Sequence, residues 1–255
     1  MVLGDKMKYP HASRYTDLKK IYEECSGPGG LELAEYMAEK MGLKPDSRLL
    51  DIGTYRGYQT CFLTKEYGMN TVGIDPWDDR DLGIPHIDIV MKNAYRFDVA
   101  DRLIALKSGV PDSLLPSNCF DYAYCTTTLE MVRGYCGYQT YLDSLREIKR
   151  VLRKDGVFGM AEPMHFPIDI PEDLRSAAQR NDWITCFATI DETVEAVEQA
   201  GFMVEDAGYC EDAERWWQEF EQFRPPYDND PDDTFIIENN KGRWLTFGYV
   251  MARNL

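Results

Sequence analysis

Two carboxylates stand at the ends of apolar stretches, in a pattern that favours a nucleoside-binding site. The first apolar run carries Asp51 and is followed by Gly53 and Gly57, and the next one, residues 71–74, ends directly at Asp75. Glycines allow a backbone to approach a ligand closely, and a carboxylate at a strand tip can accept hydrogen bonds from both ribose hydroxyls. The pattern predicts a strand, a tight turn, a helix and a second strand arranged around a nucleoside.

The residues of the turn favour a cofactor with a positive charge over a dinucleotide. Dinucleotide-binding turns follow the pattern G-x-G-x-x-G, whereas this chain has Tyr55 at the position of the middle glycine. A pyrophosphate would be repelled by Asp51, and the ammonium group of an amino-acid ligand would be attracted. Residues 49–57 resemble motif I, D-x-G-x-G-x-G, of the class I S-adenosylmethionine-dependent methyltransferases.

Three later segments resemble the same family and follow in the family's order. Residues 119–125 resemble its fourth strand, residues 145–158 its fifth helix, turn and strand, and residues 200–202 the start of a further strand. The resemblance extends over roughly residues 26–252. It implies an α/β protein with a Rossmann-like, doubly wound, mostly parallel seven-stranded sheet, a reversed edge strand and a cap insertion.

Hydrophobic periodicity and turn residues alternate along the chain as expected for the strands and helices of such a sheet. The length of 255 residues suits a single methyltransferase domain, residues 1–255. An N-terminal segment, residues 1–30, and an irregular insertion, residues 162–190, are predicted to close over the ligand site. Helices are predicted at 31–41, after Gly57, within 76–95, at 191–200 and at 213–223, and further strands at 103–106, 202–206 and 244–252.

The overall charge and composition argue against several classes of partner. The net charge of -16 disfavours nucleic acid, because a phosphate backbone would be repelled. No apolar stretch approaches the ~20 residues of a membrane span, and residues 1–8 lack the apolar core of a secretion signal. We therefore expect a cytoplasmic protein with no nucleic-acid or membrane partner, either a monomer or a homodimer.

The cysteines, the histidines and one acidic loop predict no metal site. The seven cysteines contain no Cys-x-x-Cys pair, which favours reduced thiols over a disulfide framework or a zinc site. Three histidines without a His-Glu-x-x-His run leave little for metal chemistry. Residues 228–233 resemble the start of a calcium loop, but Asp233 occupies the position of the required glycine, so a solvated loop is predicted.

The resemblance assigns cofactor contacts to residues at the ends of the strands. Asp75 is expected to hold the ribose of S-adenosylmethionine, and Trp77 either lies against the adenine or is a half-buried loop residue. Tyr55 replaces a glycine of the motif, so the turn must approach the cofactor differently, and Arg56 is predicted to point to solvent. The complete set of predicted cofactor-binding residues is Asp51, Gly53, Thr54, Gly57, Asp75, Pro76, Trp77, Gly109, Val110, Cys125 and Thr126.

Two residues, His165 and Tyr15, are the candidates for chemistry on the acceptor. His165 follows the predicted fifth strand, at a carboxyl end where a ligand is expected, and a histidine can serve as a general base. The alternative is that His165 is a structural histidine. The protein then only positions the acceptor, and substitution of residues such as Tyr15 should affect turnover more than substitution of His165. Glu130 is predicted to be a solvated carboxylate at a helix start. Most aromatic residues outside the sheet are predicted to be packing, with a minority forming a box for a flat or cationic acceptor.

The function favoured by these observations is methyl transfer from S-adenosylmethionine to a small-molecule acceptor. The donor carries an electrophilic methyl group, so the protein has mainly to hold two reactants at attack distance, which agrees with the lack of an obvious nucleophile. Residues 27–33 resemble the small-molecule branch of the family. The alternatives are a protein of the same fold that uses S-adenosylmethionine without methylating, a nicotinamide oxidoreductase, and a non-enzymatic partner of another subunit.

Overall fold

A single mixed sheet forms the centre of the protein. The computed structural model describes residues 8–226 and 230–255, and within them seven strands pair in the order β3-β2-β1-β4-β5-β7-β6. The strands are β1 (Arg48–Ile52), β2 (Asn70–Ile74), β3 (Leu103–Leu106), β4 (Phe120–Thr126), β5 (Leu152–His165), β6 (Met203–Tyr209) and β7 (Leu245–Arg253).

The sheet is parallel except for β7, which confirms the predicted Rossmann-like fold with one reversed strand. β1 pairs in parallel with β2 and β4, and β7 runs antiparallel to both β5 and β6. The reversed strand lies one position in from the edge, because β6 is outermost. Parallel strands are buried on both faces, which explains why Leu49, Leu50 and Ile52 of β1 form a near-continuous apolar run.

Helices cover both faces of the sheet and one of its ends. Buried side chains of α2, α3 and α4 form the core on one face, and those of α6 and α9 form the core on the other. The helices are α1 (Leu18–Glu24), α2 (Gly30–Met41), α3 (Tyr58–Glu66), α4 (His86–Phe97), α5 (Leu129–Met131), α6 (Tyr138–Val151), α7 (Glu172–Arg180), α8 (Trp183–Cys186), α9 (Ile190–Gln199), α10 (Ala213–Phe223) and α11 (Pro231–Asn240).

The helix boundaries follow from their capping residues. α9 begins with a capping box in which the Thr189 side chain accepts from the backbone of Glu192 and the Glu192 side chain accepts from the backbone of Thr189. α2 ends at Gly42 in the left-handed conformation, which suits a glycine. In the described residues, none of these helices combines the length and the apolar character needed to cross a membrane.

The cover over the site is larger than the predicted segment 162–190. Residues 162–165 of that segment belong to β5, and the rest includes α7 and α8, which pack on each other. α1, which belongs to the predicted N-terminal segment 1–30, packs against α10, and α11 packs against α7. α10 and α11 therefore add to the two predicted segments.

α11 corrects the solvated loop that was predicted over residues 228–233. Asp230 accepts a hydrogen bond from the backbone of Asp232, and Pro231 occupies the first helical turn, so this acidic stretch starts a helix. Residues 227–229, which include the first part of the predicted loop, lie outside the described residues.

Candidate active site

A cavity of about 410 Å³ lies at the carboxyl ends of the central strands, beneath the cover. This is the edge of an open α/β sheet at which ligands bind, and the volume is within the usual range of roughly 300–1,000 Å³ for small-molecule sites. One end of the cavity, called here the nucleoside end, is formed by the loops after β1, β2, β3 and β4. Its wall contains Gly53, Tyr55, Asp75, Pro76, Trp77, Gly109, Val110, Thr127 and Thr128.

The turn after β1 has the backbone conformation that its glycines allow. Gly53 and Gly57 have φ values of 76° and 78°, in the region that side chains other than glycine rarely adopt. A Cβ atom on Gly53 would collide with the side chain of Thr128, and one on Gly57 would lie 2.7 Å from Val90. Both glycines are therefore required for a turn this close to its neighbours.

Tyr55 takes the conformation that the missing middle glycine would supply. Its φ is 49°, at a cost of roughly 1–3 kcal/mol for a residue with a side chain. Its backbone N–H donates to Asp75 Oδ2 at 2.9 Å, and its ring packs edge-on against His86, with the ring centroids 4.9 Å apart. The ring thus lies across the turn, which leaves the backbone of the turn in contact with the cavity.

Asp75 is a buried carboxylate held in position by three donors. Its Oδ1 accepts from the backbone N–H of Trp77 at 2.9 Å and lies 3.2 Å from Nδ1 of His86, and its Oδ2 accepts from Tyr55. A carboxylate has about four acceptor sites, so Asp75 retains acceptor capacity on its cavity side. This arrangement suits hydrogen bonds from ribose hydroxyls.

A second layer of charges supports Asp75 from behind. Nε of Arg56 lies 2.7 Å from Oδ2 of Asp79, and Nε2 of His86 lies 3.8 Å from the same oxygen. Burial opposes ionisation of Asp79, but the Arg56 guanidinium holds the pKa of that carboxyl below its usual range. The prediction that Arg56 points to solvent is wrong, because its side chain is only 12% exposed and pairs within the loop that follows β2.

The predicted cofactor residues fall into two groups. Six of them, Gly53, Asp75, Pro76, Trp77, Gly109 and Val110, line the cavity. Trp77 is 58% exposed, so one face of its ring is available to a ligand. The other five, which lie behind the wall in the structure, are Asp51, Thr54, Gly57, Cys125 and Thr126.

The residues behind the wall fix the turn. Asp51 accepts a hydrogen bond from Thr60 Oγ1 at 2.5 Å, and burial raises its pKa to about 7, although that hydrogen bond favours the ionised form. Thr126 donates to Gln59 at 2.8 Å. Because β4 continues through Thr126, the residues that face the cavity after this strand are Thr127 and Thr128, two positions later than predicted.

The other end of the cavity, called here the aromatic chamber, is walled by five rings from the cover. Trp183 of α8 lies 5.0 Å from Phe187 and 5.6 Å from Trp217, between ring centroids. Trp217 and Phe220 of α10 lie 6.2 Å apart, and Phe220 lies 6.0 Å from Tyr22 of α1. All five rings are buried and line the cavity, so these aromatic residues form a cluster, and their binding of a flat or cationic acceptor stays a prediction.

Two buried carboxyl groups, Glu130 and Glu162, meet at the floor of the chamber. Oε1 of Glu162 accepts from the backbone N–H groups of Leu129 and Glu130, at 2.9 and 3.1 Å. Burial, and then the neighbouring Glu162, hold the pKa of Glu130 well above its usual range. Burial also raises the pKa of Glu162, against the hydrogen bonds and the charge of Arg133. The prediction that Glu130 is solvated is wrong, since it is 5% exposed.

His165 and Tyr15, the predicted catalytic residues, lie away from the described wall of the cavity. The ring of His165 stacks on Trp244, and its Nδ1 lies 2.8 Å from the carbonyl oxygen of Phe166. Thr126, where β4 ends, pairs with Ala161 of β5, and His165 is four residues further along. At about 3.3 Å per residue, β5 carries His165 ~13 Å beyond that level.

Tyr15 lies at the far end of α3 from the glycine turn. Its hydroxyl donates to Glu66 at 2.7 Å, and its ring stacks on Phe97. Since Glu66 is the last residue of α3 and Gly57 precedes the first, the length of the helix, about 1.5 Å per residue, separates Tyr15 from the turn.

Comparison with known proteins identifies the class and then the family. The doubly wound sheet and the turn define a Rossmann-like α/β protein with a nucleoside site at its carboxyl edge. Residues 22–207 match the profile of a family described as "Methyltransferase domain". The chain belongs to this methyltransferase family, whose cofactor, S-adenosylmethionine, fits the turn and the carboxylate found here.

Individual relatives agree with this family. A sterol 24-C-methyltransferase of Aspergillus fumigatus is 26% identical over 205 residues, which covers 76% of this chain and 51% of the relative. The chain thus spans about half the length of the sterol methyltransferases that it matches.

Two solved structures share the fold at low sequence identity. The [4+2]-cyclase SpnF has a TM-score of 0.72 at 15% identity and covers 96% of this chain and 93% of its own. A putative sarcosine dimethylglycine methyltransferase from Galdieria sulphuraria has a TM-score of 0.69 at 15% identity and covers 88% and 86%. At this identity the likeness establishes the fold.

Proposed function

We propose that this protein transfers a methyl group from S-adenosylmethionine to a small molecule with an apolar body. The observation that carries the proposal is the continuity of the cavity, which joins the nucleoside end at Gly53 and Asp75 to the aromatic chamber at Trp183 and Trp217. A methyl-transfer site needs two adjoining pockets, one for the donor and one for the acceptor. The two ends of this cavity have the matching chemistry.

The residues of the nucleoside end would hold the cofactor. Asp75 would accept hydrogen bonds from the ribose, and Gly53 would let the backbone approach the remainder of the molecule. Trp77 and Val110 offer apolar surface to the adenine. When bound, S-adenosylmethionine supplies a methyl group activated by a sulfonium.

Much of the rate enhancement would come from positioning. The aromatic chamber excludes water and presents flat, rigid surfaces to the acceptor, and holding two reactants at attack distance can lower a barrier by ~7–11 kcal/mol. The chamber also supports an acceptor of small size, because it is closed by α1, α8 and α10. The net charge of -16 supports the same class over a nucleic-acid acceptor.

Calorimetry with S-adenosylhomocysteine, S-adenosylmethionine and NAD tests the cofactor. We expect micromolar binding of the two sulfur compounds and no binding of NAD. Incubation with methyl-labelled S-adenosylmethionine and a panel of flat or aliphatic small molecules then tests transfer. Binding of NAD without binding of the sulfur compounds would exclude the proposal.

The alternative with non-methylating chemistry is distinguished in the same experiment. S-Adenosylmethionine that binds tightly, while the label stays on it and an acceptor is nevertheless converted, would favour that alternative. We expect instead that each converted acceptor gains one label for each molecule of S-adenosylhomocysteine formed.

A further inference from the structure

Glu130 has a buried oxygen that the protein leaves without a partner. Its side chain lines the cavity and is 5% exposed, and its Oε2 atom has no hydrogen-bond partner among the residues that the structure describes. A buried carboxyl oxygen without a partner is costly, on the order of 1–3 kcal/mol or more. Two groups can supply this partner, the neighbouring Glu162 carboxyl and a molecule bound in the cavity that Glu130 lines.

Glu162 holds Glu130 in place and completes a pair. The Glu162 carboxylate accepts two backbone N–H groups, one of them from Glu130 itself, so it is anchored to the start of α5. The two carboxyl groups are close enough to share a hydrogen bond. Two adjoining carboxyl groups in a buried site cannot both be ionised easily, so the pair holds one proton and one negative charge near neutral pH.

We propose that Glu130 receives the proton released when an O–H or N–H acceptor is methylated in the aromatic chamber, while its own proton passes to the Glu162 carboxylate. This rests on the proposed function. As the bond between the acceptor heteroatom and the methyl carbon forms, the bond between that carbon and the donor sulfur breaks, and a neutral thioether is left. The proton of the acceptor passes to the carboxyl pair, which becomes neutral and then releases the proton to water.

The charges around the cavity also restrict the chemical classes of acceptor that can bind. Among the described wall residues, the basic side chains are Arg56, Arg80 and His86, which all stand on the turn and the loop after β2 at the nucleoside end. The chamber itself contains Asp233, which lies 3.6 Å from Nη1 of Arg224, and Glu130, whose pair with Glu162 carries one negative charge. A phosphate or carboxylate on the acceptor would therefore meet negative charge, and the favoured acceptors are neutral or cationic alcohols, phenols and amines.

Several ionisable groups face the pair from the elements packed around it, and they set its pH dependence. Arg133 favours the ionised form of Glu162, and burial keeps the nearby Cys125 thiol and Tyr141 hydroxyl neutral by raising their pKa values. Cys186 and Tyr135, also near Glu130, have raised pKa values for the same reason. The carboxyl pair is therefore the group in this cluster that gains a proton as the pH falls through neutrality, and gaining it blocks its action as a base.

Glu130→Gln and Glu162→Gln test the proposal, with Glu195→Gln, an exposed glutamate on α9, as the matched control. With a phenol or amine acceptor found by the labelled transfer assay, we expect Glu130→Gln to lower kcat by ~10²–10⁴. The acid limb of the kcat profile should disappear in the same variant, and the dissociation constant of S-adenosylhomocysteine should change less than twofold. Glu162→Gln should also lower kcat and remove the acid limb, because the proton of Glu130 then has no carboxylate to pass to.

An infrared pH titration gives a second result that does not depend on the acceptor. The wild-type protein should show protonated carboxyl absorption at pH 7; both glutamine variants should lose the part due to the pair and keep the part due to Asp51, whereas Glu195→Gln should keep both. Unchanged kcat in a folded Glu130→Gln, or equal turnover of acceptors that carry no O–H or N–H group, would overturn the proposal and leave the proposed function intact. Failure of the wild-type protein to bind S-adenosylhomocysteine would instead overturn the proposed function.

Discussion

The two ends of the cavity are built in different ways. The nucleoside end is made largely by backbone, because the turn after β1 supplies glycines and an N–H group, and backbone donors orient Asp75. The aromatic chamber is made by side chains from α1, α8 and α10, which are distant in sequence. A backbone site built from one local motif tolerates little change, whereas each segment of the chamber can change by itself. We infer that the nucleoside end determines which cofactor binds and that the aromatic chamber determines which acceptor binds.

The largest effect on ligand binding is expected from Asp75→Ala. Loss of charge-assisted hydrogen bonds to the ribose costs about 1.5–3 kcal/mol, so the dissociation constant of S-adenosylhomocysteine should rise roughly ten- to a hundredfold. Calorimetry measures this, and Asp101→Ala, at an exposed carboxylate before β3, is the control. An unchanged dissociation constant in Asp75→Ala would mean that the nucleoside end does not bind the ribose.

A chamber substitution, Trp183→Phe, should separate the two ends. The smaller ring removes contacts with the acceptor that are worth ~1 kcal/mol or more, so the KM for the acceptor should rise about fivefold. The dissociation constant of S-adenosylhomocysteine should stay within twofold of the wild-type value. An equal loss at both ends would show that the division between cofactor and acceptor surfaces is wrong.

His86→Asn should have a smaller effect at the nucleoside end. His86 contributes one of the three hydrogen bonds that orient Asp75, and such a bond is worth about 0.5–1.5 kcal/mol. Cofactor affinity should therefore fall about two- to tenfold, less than in Asp75→Ala, with the acceptor KM unchanged. If His86→Asn weakened binding as much as Asp75→Ala, His86 would have to contact the cofactor itself.

The last expected change is in stability and not in ligand binding, from Asp51→Asn. The folded pKa of Asp51 is about 7, above the ordinary value of about 3.9, so the folded state keeps a proton that the unfolded chain loses. Wild-type stability therefore decreases as the pH rises from about 4 to 7. Asp51→Asn should melt a few degrees higher than the wild type at pH 8, with the difference vanishing near pH 4. Thermal melts at both pH values, with Asp101→Asn as control, check the sign.

The sequence predicted the nucleoside end because its determinants are local. Gly53, Gly57 and Asp75 lie within one strand-turn-helix-strand unit, so their spacing alone places them together. The conformation of Tyr55 was not predictable in this way, because its left-handed backbone is held by tertiary contacts with Asp75 and His86.

The chamber was predicted only in outline, since its residues meet through packing of distant segments. His165 was chosen because it ends a strand, but among the described residues of β5 it is Pro163 that lines the cavity, and His165 stacks on Trp244. Glu162, like Asp51, is a carboxylate at the end of an apolar run. A search for this pattern at the end of every predicted strand would have found Glu162 as well. The burial of Glu130 depends on the cover and has no local sequence indication.

A crystal structure with S-adenosylhomocysteine tests the division of the cavity most directly. The account predicts that the ribose hydroxyls contact Asp75, that the adenine lies between Trp77 and Val110, and that the aromatic chamber beside Trp183 and Glu130 remains open to an acceptor. Electron density for the adenosine in the chamber, or for the whole ligand away from the turn at Gly53, would contradict it.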